Sequence, residues 1–353
     1  VHAGCWHAVR MSESATSTAG QPHAPSWYAD SVPAQPLRPP LRGEQATDVC
    51  VLGAGYTGLS TALSLAERGY RVTVLEAQRV GWGASGRNGG QAIVGYGCEV
   101  DTLERLVGNA DARLLFDYSR EGMALLRQRL QRYAIACDWR EGHASVPISA
   151  RQERGLRRGL LTLAERYDYP LRWWDRSTLR QQLDSPRYRG AMFDAASGHL
   201  HPLAYAQGLA RAAESLGVVI HEASPVLALA RGPRPQLRTA SGTVSANQVV
   251  IAGNAWLQGI APELERRIMP VGTYIGASAP LGAARARELI RNDMAVADVS
   301  WALDYFKLSA DHRLLFGGRA SYSALPPPNL RGVMTRRMHQ VFPQLADVGM
   351  EQV

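Results

Sequence analysis

The sequence contains no run of the ~18 to 20 consecutive apolar residues that a membrane-spanning helix requires, and its most hydrophobic segments, 49–52 and 249–252, are strand-sized. It has almost no lysine. Lys307 stands alone among 39 basic side chains, the remainder being arginine. The four cysteines, Cys5, Cys50, Cys98 and Cys137, form no CxxC pair, so there is no spacing for a metal site or a redox dithiol, and a reduced, cytoplasmic interior is expected. Residues 1–10 lack a continuous apolar stretch, which argues against a secretory signal; Met11 follows them, and they are left out of the fold reading. No internal repeat is present. A formal charge of +8 invites a nucleic-acid partner, but the arginines alternate with acids, as in Arg151, Glu153, Arg154, Arg157 and Arg158. That is the pattern of a solvated helix face, and no nucleic-acid partner is expected.

What is present is enough chain, 353 residues, for two domains on a prior of about 150 residues each. Residues 11–45, rich in Ser, Thr and Pro, read as a leader arm, surface-lying or partly disordered. Regular patterning then begins: a strand at 48–52, a helix at 56–68 with Gly69 as its stop, and a strand at 71–75. A glycine-rich stretch at 81–97 precedes helical patterning over 101–133, a strand at 144–148 and a charged helix at 150–166. Extended segments at 190–199 lead to a helix opened by Pro202, a strand at 218–221, a hairpin at 236–244 and a buried strand at 248–252. Strands mixed with helices mark an α/β chain.

Gly53, Ala54, Gly55, Tyr56, Thr57 and Gly58 form GxGxxG, weak alone but here set between a strand and a helix, with Glu76 ending the second strand. Each glycine has a task. Gly53 permits the tight turn, Gly55 lets backbone approach a pyrophosphate, and Gly58 allows helix and strand to pack closely. The helix N-terminus attracts the phosphate charge, and the Glu76 carboxylate accepts from ribose hydroxyls while repelling a 2′-phosphate. NAD and FAD both satisfy this motif. The segment 81–91, containing Gly83, Ala84, Ser85, Arg87, Asn88, Gly89 and Gly90, separates them, because an NAD domain passes directly into another helix and strand; its glycines suit backbone packed against a flat ligand.

With these motifs the chain resembles the FAD-dependent D-amino-acid oxidase superfamily, which includes glycine and sarcosine oxidases, and within it the gamma-glutamylputrescine oxidoreductase branch. The likeness runs over roughly residues 27–353. It also rests on His201-Pro202-Leu203-Ala204-Tyr205-Ala206, on Val250 to Ala255, on Tyr305-Phe306-Lys307 and on Leu315 to Arg319. The resemblance implies a Rossmann-like FAD-binding domain of the D-amino-acid oxidase/glutathione reductase type, with an inserted α+β substrate domain. The expected division is 46–136 with 198–259 for FAD, 137–197 with 260–330 for substrate, and 331–353 starting the return to the FAD domain.

By position in that family, Ala77 follows the ribose-binding Glu76, Val226 lies near the adenine, and Ala252 and Gly253 near phosphate or ribose. The implied reaction is oxidation of an amine C–N bond, in amino-acid or polyamine catabolism, with oxygen or another acceptor taking the electrons. Trp301 and Tyr305 are candidates for the wall facing the flavin and Arg319 for an acidic substrate group; no catalytic base and no metal ligand is assigned. The alternatives are a nicotinamide-dependent dehydrogenase and a non-catalytic flavin-fold or nucleic-acid-binding protein. Family members continue past the position of Val353 with a segment that reaches the flavin ring, so the expectation is that adenine and pyrophosphate contacts form while the ring end stays open.

Overall fold

The computed structural model describes residues 20–322 and 327–353. Cys5 and residues 1–19 of the expected leader lie outside them. In chain order the strands are β1 (Gly43–Leu52), β2 (Val72–Leu75), β3 (Gln91–Ala92), β4 (Arg140–Val146), β5 (Arg172–Asp175), β6 (Gly190–His199), β7 (Val219–His221) and β8 (Ala228–Ala230). They continue as β9 (Gln236–Arg238), β10 (Gly242–Ile251), β11 (Gly272–Ser278), β12 (Ala295–Asp298), β13 (Tyr305–Leu308), β14 (Leu314–Ser321) and β15 (Met350–Gln352).

Two compact units result. The first comprises, of the described residues, 20–24, Ala34–Trp82 and Ala213–Ala261. Its six-stranded sheet has the order β7-β2-β1-β10-β9-β8, with parallel pairing among β7, β2, β1 and β10 and antiparallel pairing at β10-β9-β8. β2 and residues 49–52 of β1 are buried and mostly apolar, and Cys50, Leu52, Leu75, Val244 and Ala246 pack in one cluster with Leu237 and Leu257. Cys50 is ordinary core, as its apolar strand suggests.

The second unit comprises Pro25–Pro33, Gly83–Ala212 and, of the described residues, 262–322 and 327–353. Its nine-stranded sheet runs β15-β11-β14-β13-β12-β4-β6-β3, with β5 also on β6. Because side chains alternate along a strand, its two faces differ in chemistry. One carries Ala144, Val146, Val296, Phe306, Leu314 and Phe316, buried against helices Arg176–Gln182, Ala283–Leu289 and Leu330–Val341 through Leu179, Leu289, Met334 and Met338. The other face carries His143, Ser145, Tyr305, Lys307 and Gly317 in the same strands. Phe306 is fully buried, stacked 5.8 Å from Phe316 and edge-on at 5.0 Å to Phe342. Phe306→Ala is expected to cost about 3–5 kcal/mol, read as a lower urea midpoint at unchanged slope.

Several sequence expectations change. The helical stretch over 101–133 is two helices, Val100–Val107 and Asn109–Arg132, interrupted at Gly108. The second arm of the hairpin and the strand at 248–252 are one element, β10, since parallel pairing with β1 continues from Gly43 to Leu52. From residue 20 onward the leader is packed: Trp27–Asp30 is a short helix with Tyr28 buried, Leu41 is buried, and Arg38 pairs with Glu214 at 2.5 Å. The compact units also divide at other points than expected. Residues 83–136 belong with the second sheet, because β3 pairs with β6. Residues 331–353 do too: β15 pairs antiparallel with β11, and Met350 is buried in that unit's core.

Candidate functional site

In the first unit the carboxyl ends of three parallel strands coincide, Leu52 lying opposite both Leu75 and Ile251. Ligands of open α/β sheets bind at such ends. The turn after β1 is built for close approach. Gly53 has φ +102°, and a Cβ there would sit 2.7 Å from the Ala252 carbonyl oxygen. A Cβ at Gly58 would run into the Gly53 carbonyl oxygen. Gly55 is the N-cap of helix Tyr56–Ala66; no side chain caps that end, and its first turn holds no acid. The positive end of the helix dipole is thus available to an anion.

Glu76 closes the cradle. One carboxylate oxygen accepts from the Ala54 amide at 2.7 Å and the other from the Gln78 amide at 2.9 Å. The Ala77 amide acts on the carboxylate as well, and of its about four lone-pair sites one remains for a hydroxyl donor. Burial holds this carboxyl above its usual range, with Glu222 adding to the shift and the backbone amides opposing it. Glu222 gave no signal in the sequence, yet it ties two segments together, accepting from Val80 N at 2.7 Å and from Arg38 N at 2.8 Å. Ala77 and Gln78 receive the Gly20 and Gln21 amides. Val226 packs on the apolar cluster beneath β8 and β9, and Ala252 N continues the pairing to Leu52 O at 2.8 Å.

In the second unit the glycine-rich segment is a folded structure. A single 3-10 turn, Ala84–Gly86, is followed by Asn88, whose side-chain amide donates to Ala84 O at 3.0 Å and accepts from Gly90 N at 2.8 Å. The segment then crosses the Tyr305 face of the sheet. A Cβ on Gly89 would lie 2.6 Å from the Tyr305 ring, one on Gly90 2.8 Å from Lys307 Nζ, and Gln91 Nε2 donates to Val296 O at 3.1 Å. Gly317, the cross-strand partner of Tyr305, meets the same ring, which any Cβ there would enter. Tyr305 is therefore in close contact with two glycines. Arg87 is exposed.

The three candidates for substrate contact fare differently. Tyr305 meets Gly89 of the glycine-rich segment. Arg319 occupies the left-handed region, φ +66°, at a bulge between β11 and β14, and its buried Nε has no hydrogen-bond partner among the described residues. A non-glycine residue there stores strain of about 1–3 kcal/mol, a cost found most often at functional positions. Trp301 is 90% exposed in the turn between β12 and β13 and touches neither.

Lys307, two residues along β13 from Tyr305, has His199, His201 and the carboxyls of Asp138 and Asp293 in its electrostatic surroundings. Burial pushes Tyr305 up to about 12 and lowers His199 to about 3 and His201 to about 4, Lys307 reinforcing both histidine shifts. His201 Nδ1 accepts from Ala204 N at 3.2 Å, capping the helix that Pro202 opens, while Nε2 meets the Ser31 hydroxyl at 3.0 Å. No cluster of His, Cys, Asp or Glu able to hold a metal occurs among the described residues.

Residues 48–353 match the family model described as DAO, FAD dependent oxidoreductase. The chain belongs to this family. It is therefore an FAD-dependent oxidoreductase, and the cradle around Gly53, Gly58 and Glu76 fits the ADP half of that cofactor: close backbone, an uncapped helix end and a hydroxyl acceptor. It is 40% identical over 334 residues to a probable oxidoreductase OrdL of Haemophilus influenzae, covering 93% of this chain and 77% of that one. It is 39% identical over 327 residues to the gamma-glutamylputrescine oxidoreductase of Escherichia coli, covering 92% and 77%. Among solved structures it resembles a glycine oxidase from Geobacillus kaustophilus, with TM-score 0.66, 19% identity and coverage of 87% and 80%. An L-proline dehydrogenase from P. horikoshii gives TM-score 0.71 at 17% identity, with coverage of 88% and 80%. These two show the shared fold.

Proposed function

We propose that this flavoenzyme oxidises the C–N bond of an amine, of the gamma-glutamylputrescine or amino-acid kind, and releases an aldehyde or keto product. The structural observation that carries the reading is Tyr305, an aromatic ring packed closely on Gly89 and Gly317. FAD held in the cradle would supply the acceptor for the hydride equivalent from the carbon bearing nitrogen, water would hydrolyse the resulting imine, and oxygen, giving hydrogen peroxide, or another acceptor would take up the electrons. The chain's own work is placement and electrostatics. Gly53, Gly55 and Gly58 admit the pyrophosphate, the amides of helix Tyr56–Ala66 balance its charge, and Glu76 accepts from a ribose hydroxyl. Residues 83–90 bring backbone to the cofactor, Tyr305 supplies a flat wall for the substrate, and the Arg319 guanidinium meets a substrate carboxylate. His199 and His201 are held neutral and Tyr305 protonated, so none of these three offers the amine nitrogen an anionic partner, which favours its uncharged, reactive form.

The choice of amine is supported by the identity to the enzyme named for gamma-glutamylputrescine, and a reducing, cytoplasmic setting by the unpaired buried thiols of Cys50 and Cys137. No helix among the described residues is long and apolar enough to cross a membrane. The test is anaerobic mixing of the FAD-loaded protein with gamma-glutamylputrescine, glycine, sarcosine and proline. Bleaching of the visible flavin bands by one of these amines is the expected result. Bleaching by NADH or 2-hydroxy acids alone would overturn the proposal.

A further inference from the structure

Lys307 is an anomaly. In a chain whose other cations are all arginine, its one lysine projects from β13 into the interior, 4% exposed. Its Nζ donates to Leu200 O at 2.5 Å, and Leu200 N in turn donates to Gly90 O at 2.8 Å. The Tyr28 ring lies 5.8 Å from Nζ. Gly90, at φ +67°, comes so near that a Cβ would meet Nζ at 2.8 Å and clash with Leu200 O. An arginine fork has no room here. An isolated charge is expensive to bury, and among the described residues Lys307 forms no ion pair to offset it. A neutral side chain of the same length would fill the space at lower cost, so stability alone does not account for the ammonium.

We propose that Lys307 is a positioning residue for the glycine-rich segment: through Leu200 it fixes residues 89–91 on the sheet, and thereby the contact of Gly89 with Tyr305. The inference rests on the reading of that segment as flavin-binding. The ammonium acts through backbone and touches neither substrate nor cofactor. Its surroundings make it responsive to pH. Burial lowers Lys307 to about 8, against the attraction of Asp138, Asp293 and Cys137. The other neighbours stay silent in that range: His199 is held near 3, His201 near 4 and the Cys137 thiol near 12.

Loss of the proton above about pH 8 weakens the bond to Leu200 O and the contact with Tyr28, freeing the segment. Global stability moves the other way. A lysine whose folded value lies below its unfolded one contributes stability that is lost as pH falls through about 8 and regained as pH rises toward the ordinary value of 10.5. A merely structural lysine would move both readouts together.

The test is hydrogen exchange followed by mass spectrometry on the FAD-loaded protein, wild type and Lys307→Met, at pH 7 and pH 9 after correction for intrinsic rates. Residues 53–58 serve as the fold control and flavin absorbance is read in parallel. Expected is roughly tenfold faster exchange at 89–91 in Lys307→Met, about 1.4 kcal/mol of lost protection, with 53–58 unchanged. Wild type should lose protection at 89–91 between pH 7 and 9 while its unfolding midpoint holds or rises. Gly90→Ala should reproduce the loosening, and adding Lys307→Met to it should change nothing more. Unchanged exchange at 89–91 in Lys307→Met, or wild-type protection that ignores pH, overturns the proposal; should Lys307→Met fail to fold, the pH arm decides alone. Loosening that leaves flavin retention intact would instead overturn the flavin role of the segment and leave the coupling of Lys307 to it standing.

Discussion

Gly58→Ala is expected to leave a folded protein that no longer retains FAD. The added methyl would occupy the position of the Gly53 carbonyl oxygen and press on Val51 Cγ1 at 3.3 Å, so the turn must move away from the helix that follows it. That turn is where the pyrophosphate meets helix Tyr56–Ala66. Charge-assisted hydrogen bonds contribute about 1.5–3 kcal/mol each, so misplacing two of them costs about 3–6 kcal/mol, or a factor of about 10² to 10⁴ in affinity. Titration with FAD, followed by quenching of its fluorescence, measures the loss. Circular dichroism establishes that the sheet survives, as it should, since the apolar pairing of β1 with β2 and β10 does not depend on the ligand. Wild-type affinity in a folded Gly58→Ala protein would contradict the assignment of this turn to the pyrophosphate.

The second large effect is expected at Gly317, where alanine should impair turnover more than cofactor binding. Its methyl would enter the Tyr305 ring, which also packs closely on Gly89, so the ring must leave its slot. Misplacement of about 1 Å in a positioning group costs up to about 10²-fold in rate. A fall of about 10 to 100-fold in kcat/KM is expected, with FAD affinity changed far less than in Gly58→Ala. Tyr305→Phe keeps the ring and loses only a hydroxyl that stays protonated, so it should remain close to wild type. A Gly317→Ala enzyme with unaltered kcat/KM would remove Tyr305 from the substrate wall.

How far the sequence foretold these features depends on whether the physics is local. The βαβ unit was legible apart from the start of β1, which begins at Gly43 inside the expected leader, because GxGxxG, an apolar strand on each side and Glu76 all lie within one stretch of chain. The helix start after His201 was also readable, since Pro202 follows it directly; the capping bond of the imidazole was not. The packing of Tyr305 on Gly89 and Gly317 was not legible as a geometry: the three residues are far apart in sequence, and only strand register brings them together. Glu222 and Lys307 escaped for the same reason, although a single lysine in an arginine-rich chain was a signal that composition did offer. The unit boundaries followed sheet pairing that no local pattern reveals, as with β3 on β6 and β15 on β11.

The central claim is that the cradle of Gly53, Gly58 and Glu76 holds the ADP half of FAD. The most direct measurement is equilibrium binding of FAD, FMN and NAD to the flavin-free chain under identical conditions. Stoichiometric uptake of FAD, with FMN binding at least about 10²-fold more weakly because it lacks the adenosine phosphate that the helix end and Glu76 receive, is the expected result. Equal affinity for FMN, or preference for NAD over FAD, would contradict it.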